Sequence, residues 1–133
     1  MPTLENNVIE GNQGYAIFME ANTAPRFSDN RAISNGTNGV GVNGTIAPSV
    51  TWDSDLPYVI DGGLFINPGI TLDLRSGAVI KFREYNYLIV NGTLRADSAA
   101  ATPIVFTSLK DDTAGGDTNN DGSATRPAPG NWS

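Results

Sequence analysis

A short phrase that recurs at constant spacing constrains this chain more than any other feature. Val-Asn-Gly-Thr-Ile at residues 42–46 returns as Ile-Asn-Pro-Gly-Ile at residues 66–70 and as Val-Asn-Gly-Thr-Leu at residues 90–94, a shift of 24 residues each time. A fixed period of roughly 20–50 residues indicates a repeat architecture, in which each unit buries its apolar face against its neighbours. The sequence therefore predicts a stack of similar units.

The units are built from short strands. Residues 70–74 alternate apolar and polar side chains, and no segment shows the apolar period of a helix. Parallel strands need a crossover of about a dozen residues, which one 24-residue coil of strands and turns provides. Two apolar columns recur at the same spacing: Leu56, Ile80 and Ile104, and Tyr58, Phe82 and Phe106.

We therefore predict an all-β fold, a single-stranded right-handed parallel β-helix (a solenoid) of about five coils with a period of about 24 residues. The hand follows the general rule for parallel crossovers. An antiparallel sandwich of short strands is the alternative, although it gives no reason for the constant spacing. Residues 1–108 are assigned to the coils. Residues 109–133 form a Gly/Asp/Pro-rich loop or tail that either leads into a further coil or caps the end.

Composition excludes several classes of function. The net charge is −6 and the chain has no basic cluster, which disfavours nucleic acid as a partner. No apolar run approaches the length of a membrane span, so we expect no membrane insertion. The chain has no cysteine and no histidine, which removes thiolate metal sites and Ser–His–Asp catalysis.

Several segments carry a family resemblance. Residues 58–63, 79–82, 88–94 and 103–108 resemble the right-handed parallel β-helix repeats of secreted and cell-surface bacterial proteins. The resemblance implies an extracellular or cell-surface location, with any export signal outside this chain. It also implies an adhesin-like or carbohydrate-associated role. It transfers no catalytic residue, because such repeats occur with and without enzymatic activity.

The acidic tail contains the pattern D-x-N-x-D-G at residues 117–122. Oxygen ligands at positions 1, 3 and 5 followed by a turn glycine open an EF-hand calcium loop. Position 12 is Ala128, so other oxygens must complete a calcium site. The alternative is an acidic, solvated loop without an ion. The candidate calcium ligands are Asp117, Asn119, Asp121, Asp111 and Asp112.

Asparagines recur with the repeat. Asn43, Asn67 and Asn91 occupy the same place in three successive phrases, and stacked amides can satisfy the carbonyls of turns. We interpret them as a structural stack. A role in ligand binding is the alternative.

Two acidic residues and two tyrosines are the remaining candidates for function. Asp73 and Asp97 lie one period apart, so on neighbouring coils their carboxylates would stand near the spacing used by a retaining glycosidase. A surface lattice with nearby arginines is the ordinary explanation. Tyr85 and Tyr87 lie on either side of Asn86, just before a strand, so both rings could face the same side and stack on a sugar. Packing beneath a loop is the alternative.

These observations favour a structural, adhesin-like role without enzymatic activity, as a rigid stalk or self-stacking module. The alternatives are a carbohydrate-binding face, or a fragment of a polysaccharide lyase or glycoside hydrolase. A solenoid with uncapped ends exposes unpaired backbone groups over an apolar core. We therefore expect end-to-end self-association into filaments, with a glycan as the other candidate partner.

Overall fold

The computed structural model describes residues 1–133 and contains thirteen β-strands and no α-helix. Every strand pairing is parallel. The fold contains no helical segment with the length and hydropathy of a membrane span. The strands are β1 (Thr3–Glu5), β2 (Val8–Glu10), β3 (Tyr15–Glu20), β4 (Arg26–Ser28), β5 (Arg31–Ile33), β6 (Thr37–Ile46), β7 (Val50–Trp52), β8 (Tyr58–Ile66), β9 (Thr71–Leu74), β10 (Val79–Phe82), β11 (Leu88–Val90), β12 (Thr93–Arg95) and β13 (Val105–Ser108).

The strands wind into about five coils with a period near 23 residues. The main sheet has the order β13-β10-β8-β6-β3, and β11 pairs with the second half of β8. A three-stranded sheet has the order β12-β9-β7, and the first two coils add the pairs β1-β4 and β2-β5. Strands that are one coil apart in sequence are therefore neighbours in space, which confirms the parallel β-solenoid predicted from the repeats.

The register within the main sheet differs from a constant shift of 24. Tyr58 pairs with Ile80, a shift of 22, whereas Ile80 pairs with Phe106, a shift of 26. The two predicted apolar columns are therefore wrong in detail, because Phe82 pairs with Ile60 and Ser108. All these shifts are even, and side chains alternate between faces with a period of two. The same residues consequently stay inside the coil.

The core is a continuous stack of apolar side chains inside the coils. Val40, Val42 and Ile60 have no exposed surface, and eighteen buried residues form one cluster. Each fully buried large apolar side chain contributes about 1.5–3 kcal/mol relative to its exposed state. Since each coil covers the next, most of this burial depends on contacts between residues that lie one period apart.

The chain leaves the coil after β13 and returns to it at Trp132. Residues 109–130, which we call the strap, contact the outer face of the main sheet through Asp111, Gly116 and Thr118. Beyond the strap, Trp132 forms a parallel bridge with Asn86, and the backbone N–H of Leu88 donates to the carbonyl oxygen of Ser133 (3.0 Å). The indole of Trp132 stacks on the ring of Phe82 with 4.2 Å between centroids. The last three residues therefore lie in the layer that follows β11.

Candidate metal centre in the strap

A buried lysine anchors the strap to the sheet. Alternation along β10 places Ile80 and Phe82 in the core and turns Lys81 outward, beneath the strap. Lys81 has no exposed surface, and its ammonium donates to the carbonyl oxygens of Asp111 (2.6 Å) and Gly116 (2.8 Å). Burial lowers the pKa of this ammonium. The strap thus buries the ammonium of Lys81, and backbone carbonyl oxygens of the strap replace the water that would otherwise hydrate it.

The strap also reaches back to the second coil. The backbone N–H of Asn38 donates to the carbonyl oxygen of Thr118 (2.7 Å), and the Thr118 side chain is buried. Glycine at position 39 permits this close approach, because a Cβ there would lie 3.2 Å from Cγ2 of Thr118 in the strap and 2.7 Å from the Pro57 carbonyl oxygen of the next coil. The strap therefore contacts coils that are far apart in sequence.

A tight turn follows Thr118. The carboxylate of Asp117 accepts hydrogen bonds from the backbone N–H groups of Asp121 (3.0 Å) and Gly122 (2.8 Å). Asn120 and Gly122 take left-handed backbone conformations, with φ of 55° and 75°. This turn brings the side chains at positions 1, 3 and 5 of the D-x-N-x-D-G pattern to one side of the loop.

Three carboxylates converge beside this turn. Oxygen atoms of Asp112, Asp117 and Asp121 all lie within 4.8 Å of one another. Three oxygens at this place are shielded from solvent and accept no hydrogen bond: Oδ1 of Asp112, Oδ1 of Asn119 and Oδ1 of Asp121. Shielded oxygens without partners are rare in folded proteins and cost free energy. Four side chains with carboxylate or amide oxygens, the ligand type that hard cations prefer, therefore lie close together.

The pKa values of two carboxyl groups in the cluster are shifted by their neighbours. Burial raises the pKa of the Asp112 carboxyl, and the negative charges of Asp117 and Asp121 raise it further. The hydrogen bond from the Thr125 hydroxyl lowers the pKa of Asp121, which keeps that group ionised. A divalent cation would relieve the repulsion at Asp112, since an opposite charge favours the carboxylate form.

The fifth predicted ligand is engaged elsewhere. The Asp111 carboxylate accepts hydrogen bonds from the hydroxyls of Thr113 (2.6 Å) and Thr107 (2.7 Å), which lower its pKa. Its carbonyl oxygen accepts from Lys81. The structure therefore brings Asp112, Asp117, Asn119 and Asp121 together and leaves the Asp111 carboxylate outside the cluster.

The predicted asparagine stack is wrong at its first member. Asn67 and Asn91 follow the paired residues Ile66 and Val90, but Asn43 lies beside Gly62, because β6 pairs with β8 at shifts of 18 and then 20 residues. A bulge in this pairing accounts for the change of register.

Two other asparagine ladders, which the sequence analysis missed, occupy the first coils. The Asn7 amide donates to Oδ1 of Asn30 (3.0 Å), and the Asn12 amide donates to Oδ1 of Asn35 (2.8 Å). Both pairs are 23 residues apart, a spacing that was visible in the sequence. The second ladder continues from Asn35 to Asn38 (3.1 Å), which contacts the strap.

The predicted carboxylate pair does not form. Asp73 pairs with Arg95 across β9 and β12, at a shift of 22, so Asp97 lies two residues beyond the position opposite Asp73. The register of this sheet therefore places an arginine where the prediction placed a second carboxylate.

The two tyrosines occupy different environments. Tyr85 is 83% exposed and has a φ of 63°. Tyr87 packs edge-on against Phe65, with 5.7 Å between ring centroids, and lies over Gly63. Only Tyr85 is available to stack on a ligand.

A polar cluster from three coils was also missed, because its members are 22 and 46 residues apart. The Tyr15 hydroxyl donates to the Asp61 carboxylate (2.8 Å) and accepts from Nε of Arg83 (2.6 Å). Burial raises the pKa of Tyr15 to about 12. Asp61 and Arg83 also line a groove of about 420 Å³, whose other polar walls include Glu84 and Lys110.

Comparison with known proteins identifies the domain type. A family model described as a pectate-lyase like beta helix domain matches residues 44–119, more than half of the chain. No curated protein and no solved structure matches the chain. The matched segment runs from the end of β6 through β13 and includes the first part of the strap. The repeat, the parallel coils and this match together show that the chain belongs to the pectate-lyase-like β-helix domain family.

Proposed function

We propose that this chain is a rigid, non-catalytic structural segment of a secreted or cell-surface protein, in which a calcium ion fixes the strap to the coil. The observation that carries the proposal is the set of three shielded, unpartnered oxygens on Asp112, Asn119 and Asp121. A parallel solenoid provides the stiffness, since each coil is hydrogen-bonded to the next. Weak calcium sites, with Kd of about 10⁻⁴–10⁻³ M, are typical of extracellular modules.

Calcium suits this donor set better than other ions. Carboxylate and amide oxygens are hard ligands, and the chain has no thiol or imidazole for a transition metal. Calcium accepts irregular sets of six to eight oxygens, whereas magnesium demands a near-octahedral arrangement. Asp112, Asp117, Asn119 and Asp121 would hold the ion, with carbonyl oxygens or water completing its shell.

The absence of a carboxylate pair at Asp73 and Asp97 supports the non-catalytic role. Asp73 lies opposite Arg95 instead, so no second carboxylate occupies the position across from it. The description of the family names pectate lyase, so the parent protein should also be assayed for depolymerisation of an acidic polysaccharide.

The test is thermal unfolding with added calcium and with a chelator. An ion at one hundred times its Kd stabilises the folded state by about 2.7 kcal/mol. The unfolding entropy per residue converts this to a rise in Tm of about 10 °C for a chain of this length. The double variant Asp112→Asn/Asp121→Asn should lose the rise.

The matched control is Asp73→Asn/Asp97→Asn, which makes the same chemical change away from the strap and should keep the response to calcium. If the Tm of the parent protein does not change when calcium is added, the calcium site is refuted. Depolymerisation of an acidic polysaccharide by the parent, abolished in the control variant, would refute the non-catalytic role.

Glycan binding is a second candidate function, favoured by the exposed ring of Tyr85 beside the groove. The groove is lined by two ion pairs, Arg83 with Asp61 and Lys110 with Glu84. Tyr85→Ala should weaken retention on an immobilised polysaccharide. Phe18→Ala removes an exposed ring at the other end of the main sheet and should not. Equal retention of the two variants would contradict a role for Tyr85.

A further inference from the structure

A polar groove lies between the main sheet and the strap, beside the candidate cation site. Its volume is about 420 Å³, and nine residues line it, of which only Leu109 is apolar. Pockets that bind small ligands begin at roughly 300 Å³. We propose that this groove binds one uncharged sugar unit of a glycan, and that a cation in the strap strengthens the binding. This role rests on the glycan and calcium functions proposed above, and it gives the glycan a defined site and a chemical class.

The main sheet supplies one ion pair to the groove. Asp61 alternates with the buried Ile60 on β8 and so lies on the outer face, and Arg83 directly follows β10. Nε of Arg83 lies 3.3 Å from the Asp61 carboxylate, and the Tyr15 hydroxyl bonds to both groups. The two charged side chains remain 41% and 38% exposed. The pair is therefore held in place and can still reach a ligand.

A second ion pair lines the same groove. The ammonium of Lys110, at the start of the strap, pairs with the carboxylate of Glu84. The four charged groups of the lining thus form two pairs, and their net charge is zero. An acidic ligand would find no unpaired cation in the groove, and the chain as a whole carries a net charge of −6 that repels anions. These charges disfavour an acidic ligand.

Neighbouring hydroxyl groups suit this lining. A hydroxyl both donates and accepts hydrogen bonds, whereas the carboxylates of Asp61 and Glu84 only accept and the cations of Arg83 and Lys110 only donate. Hydrogen bonds to such charged groups are roughly twice as strong as those between neutral groups. Adjacent hydroxyls can bond to the acceptor and the donor of one ion pair at the same time. An uncharged sugar unit carries hydroxyls in this arrangement.

The strap supplies a further wall of the groove through Asn119 and Thr125. The Asn119 amide nitrogen donates to the Thr125 hydroxyl (3.1 Å) and to the Asp121 carboxylate (2.9 Å), and the Thr125 hydroxyl donates to the same carboxylate. Oδ1 of Asn119 and Oδ1 of Asp121 are two of the unpartnered oxygens of the candidate cation site. Asn119 therefore belongs to both sites, and Thr125 is one hydrogen bond away from the cation site.

This shared wall couples the two sites. A cation bound to Asn119 and Asp121 would fix the wall before the sugar binds, and side chains that are already fixed lose less freedom on binding. The coupling is reciprocal, so the factor by which calcium raises the affinity for the sugar equals the factor by which the sugar raises the affinity for calcium. We expect a factor of about five or more, at the lower end of typical couplings between sites.

The experiment is an NMR titration of the whole chain, labelled with ¹⁵N, in calcium and in a chelator. The probes are the methyl glycosides of glucose, galactose, mannose and N-acetylglucosamine. At least one should shift the side-chain amide signal of Asn119, with an affinity about fivefold higher in calcium. Galacturonate, the acidic counterpart of galactose, should bind no more tightly than the galactoside.

Asp61→Asn/Arg83→Gln replaces the first ion pair by amides of similar size and should weaken sugar binding about tenfold, because charged hydrogen-bonding groups are lost. The matched control is Asp73→Asn/Arg95→Gln, which makes the same substitutions outside the groove and should bind like the parent. Lys110→Met is a second groove variant, whose surface ion pair contributes little to stability, and it should also weaken binding.

Thr125→Val removes the hydroxyl that links the groove to Asp121 and should reduce the enhancement by calcium. Thr113→Val makes the same change in the strap outside the groove and should preserve the enhancement. Equal sugar affinity in calcium and in chelator would overturn the coupling, and the calcium response of Tm shows separately whether the cation site exists.

The absence of a shift with all four glycosides, or unchanged affinity in both groove variants, would overturn the groove as a sugar site. Tighter binding of galacturonate than of the galactoside would refute the uncharged class of ligand. Retention of the Tyr85→Ala variant on polysaccharide remains a separate test of glycan binding elsewhere on this face.

Discussion

Replacing Lys81 by methionine is the sharpest test of how the strap is held. The two side chains have similar length, so Lys81→Met removes the ammonium while it still fills the space beneath the strap. The carbonyl oxygens of Asp111 and Gly116 then lose their donor. A hydrogen bond to a charged group contributes about 1.5–3 kcal/mol, and the variant no longer pays the cost of burying an ammonium. We expect a net loss of about 2–4 kcal/mol.

That loss corresponds to a decrease in Tm of about 10 °C, since a 133-residue chain has an unfolding entropy near 0.3 kcal/mol/K. The assay is chemical and thermal denaturation followed by circular dichroism, with limited proteolysis of residues 109–130 as a local readout. Lys110→Met is the matched control. The ammonium of Lys110 pairs with Glu84 at the surface, and such pairs contribute about 0–1 kcal/mol. Equal losses in the two variants would refute the anchoring role of Lys81.

Three further predictions follow from packing and from pKa. Leu72→Ala should cost about 2–5 kcal/mol in chemical denaturation, because the side chain is 1% exposed; Ile89→Ala, at an exposed position, should cost far less, and similar costs would contradict the assigned core. Tyr15 keeps its proton in the folded state up to a pKa of about 12, above the unfolded value near 10. Its contribution to stability is therefore complete below pH 10 and is lost as pH rises toward 12. A tyrosinate absorbance titration should show a smaller late phase in Tyr15→Phe, because the buried Tyr58, whose pKa is also raised by burial, still titrates late; an undiminished late phase would disprove the assignment. Gly39→Ala should cost about 1–3 kcal/mol and expose the strap to protease, because its Cβ would lie 3.2 Å from Cγ2 of Thr118 in the strap and 2.7 Å from the Pro57 carbonyl oxygen. Gly14→Ala, with no atom within 4 Å of the new Cβ, is its control, and protease resistance equal to the control's would argue against close packing of the strap at this position.

The sequence determined the architecture more firmly than the register. Repetition of apolar residues at a constant spacing of about 24 favours a parallel solenoid over an antiparallel sandwich of short strands, which gives no reason for that spacing. A shift of two residues between coils leaves every side chain on the same face. The apolar pattern therefore could not distinguish the observed shifts of 22 and 26 from a constant 24.

The same two-residue uncertainty in register limited the prediction of the candidate sites. Asp73 was expected beside Asp97 and lies opposite Arg95, since a polar pair is sensitive to the two-residue shift that the core tolerates. The D-x-N-x-D-G pattern was more informative, because its ligands are close in sequence and depend on one local turn. The contribution of Asp112 to this cluster depends on how the strap lies on the sheet, which no local pattern contains.

The strap changes how the molecule should unfold. In a simple solenoid each coil touches only its neighbours, so end coils can open one at a time and stability behaves as a sum of nearest-neighbour terms. The hydrogen bond from Asn38 to Thr118 joins residues 80 positions apart, and Lys81 ties the same segment to an intermediate coil. Opening any of these coils must release the strap from the others. The second to fifth coils are thereby coupled into one cooperative unit, to which the first coil is joined by the hydrogen bonds of Tyr15 with Asp61 and Arg83.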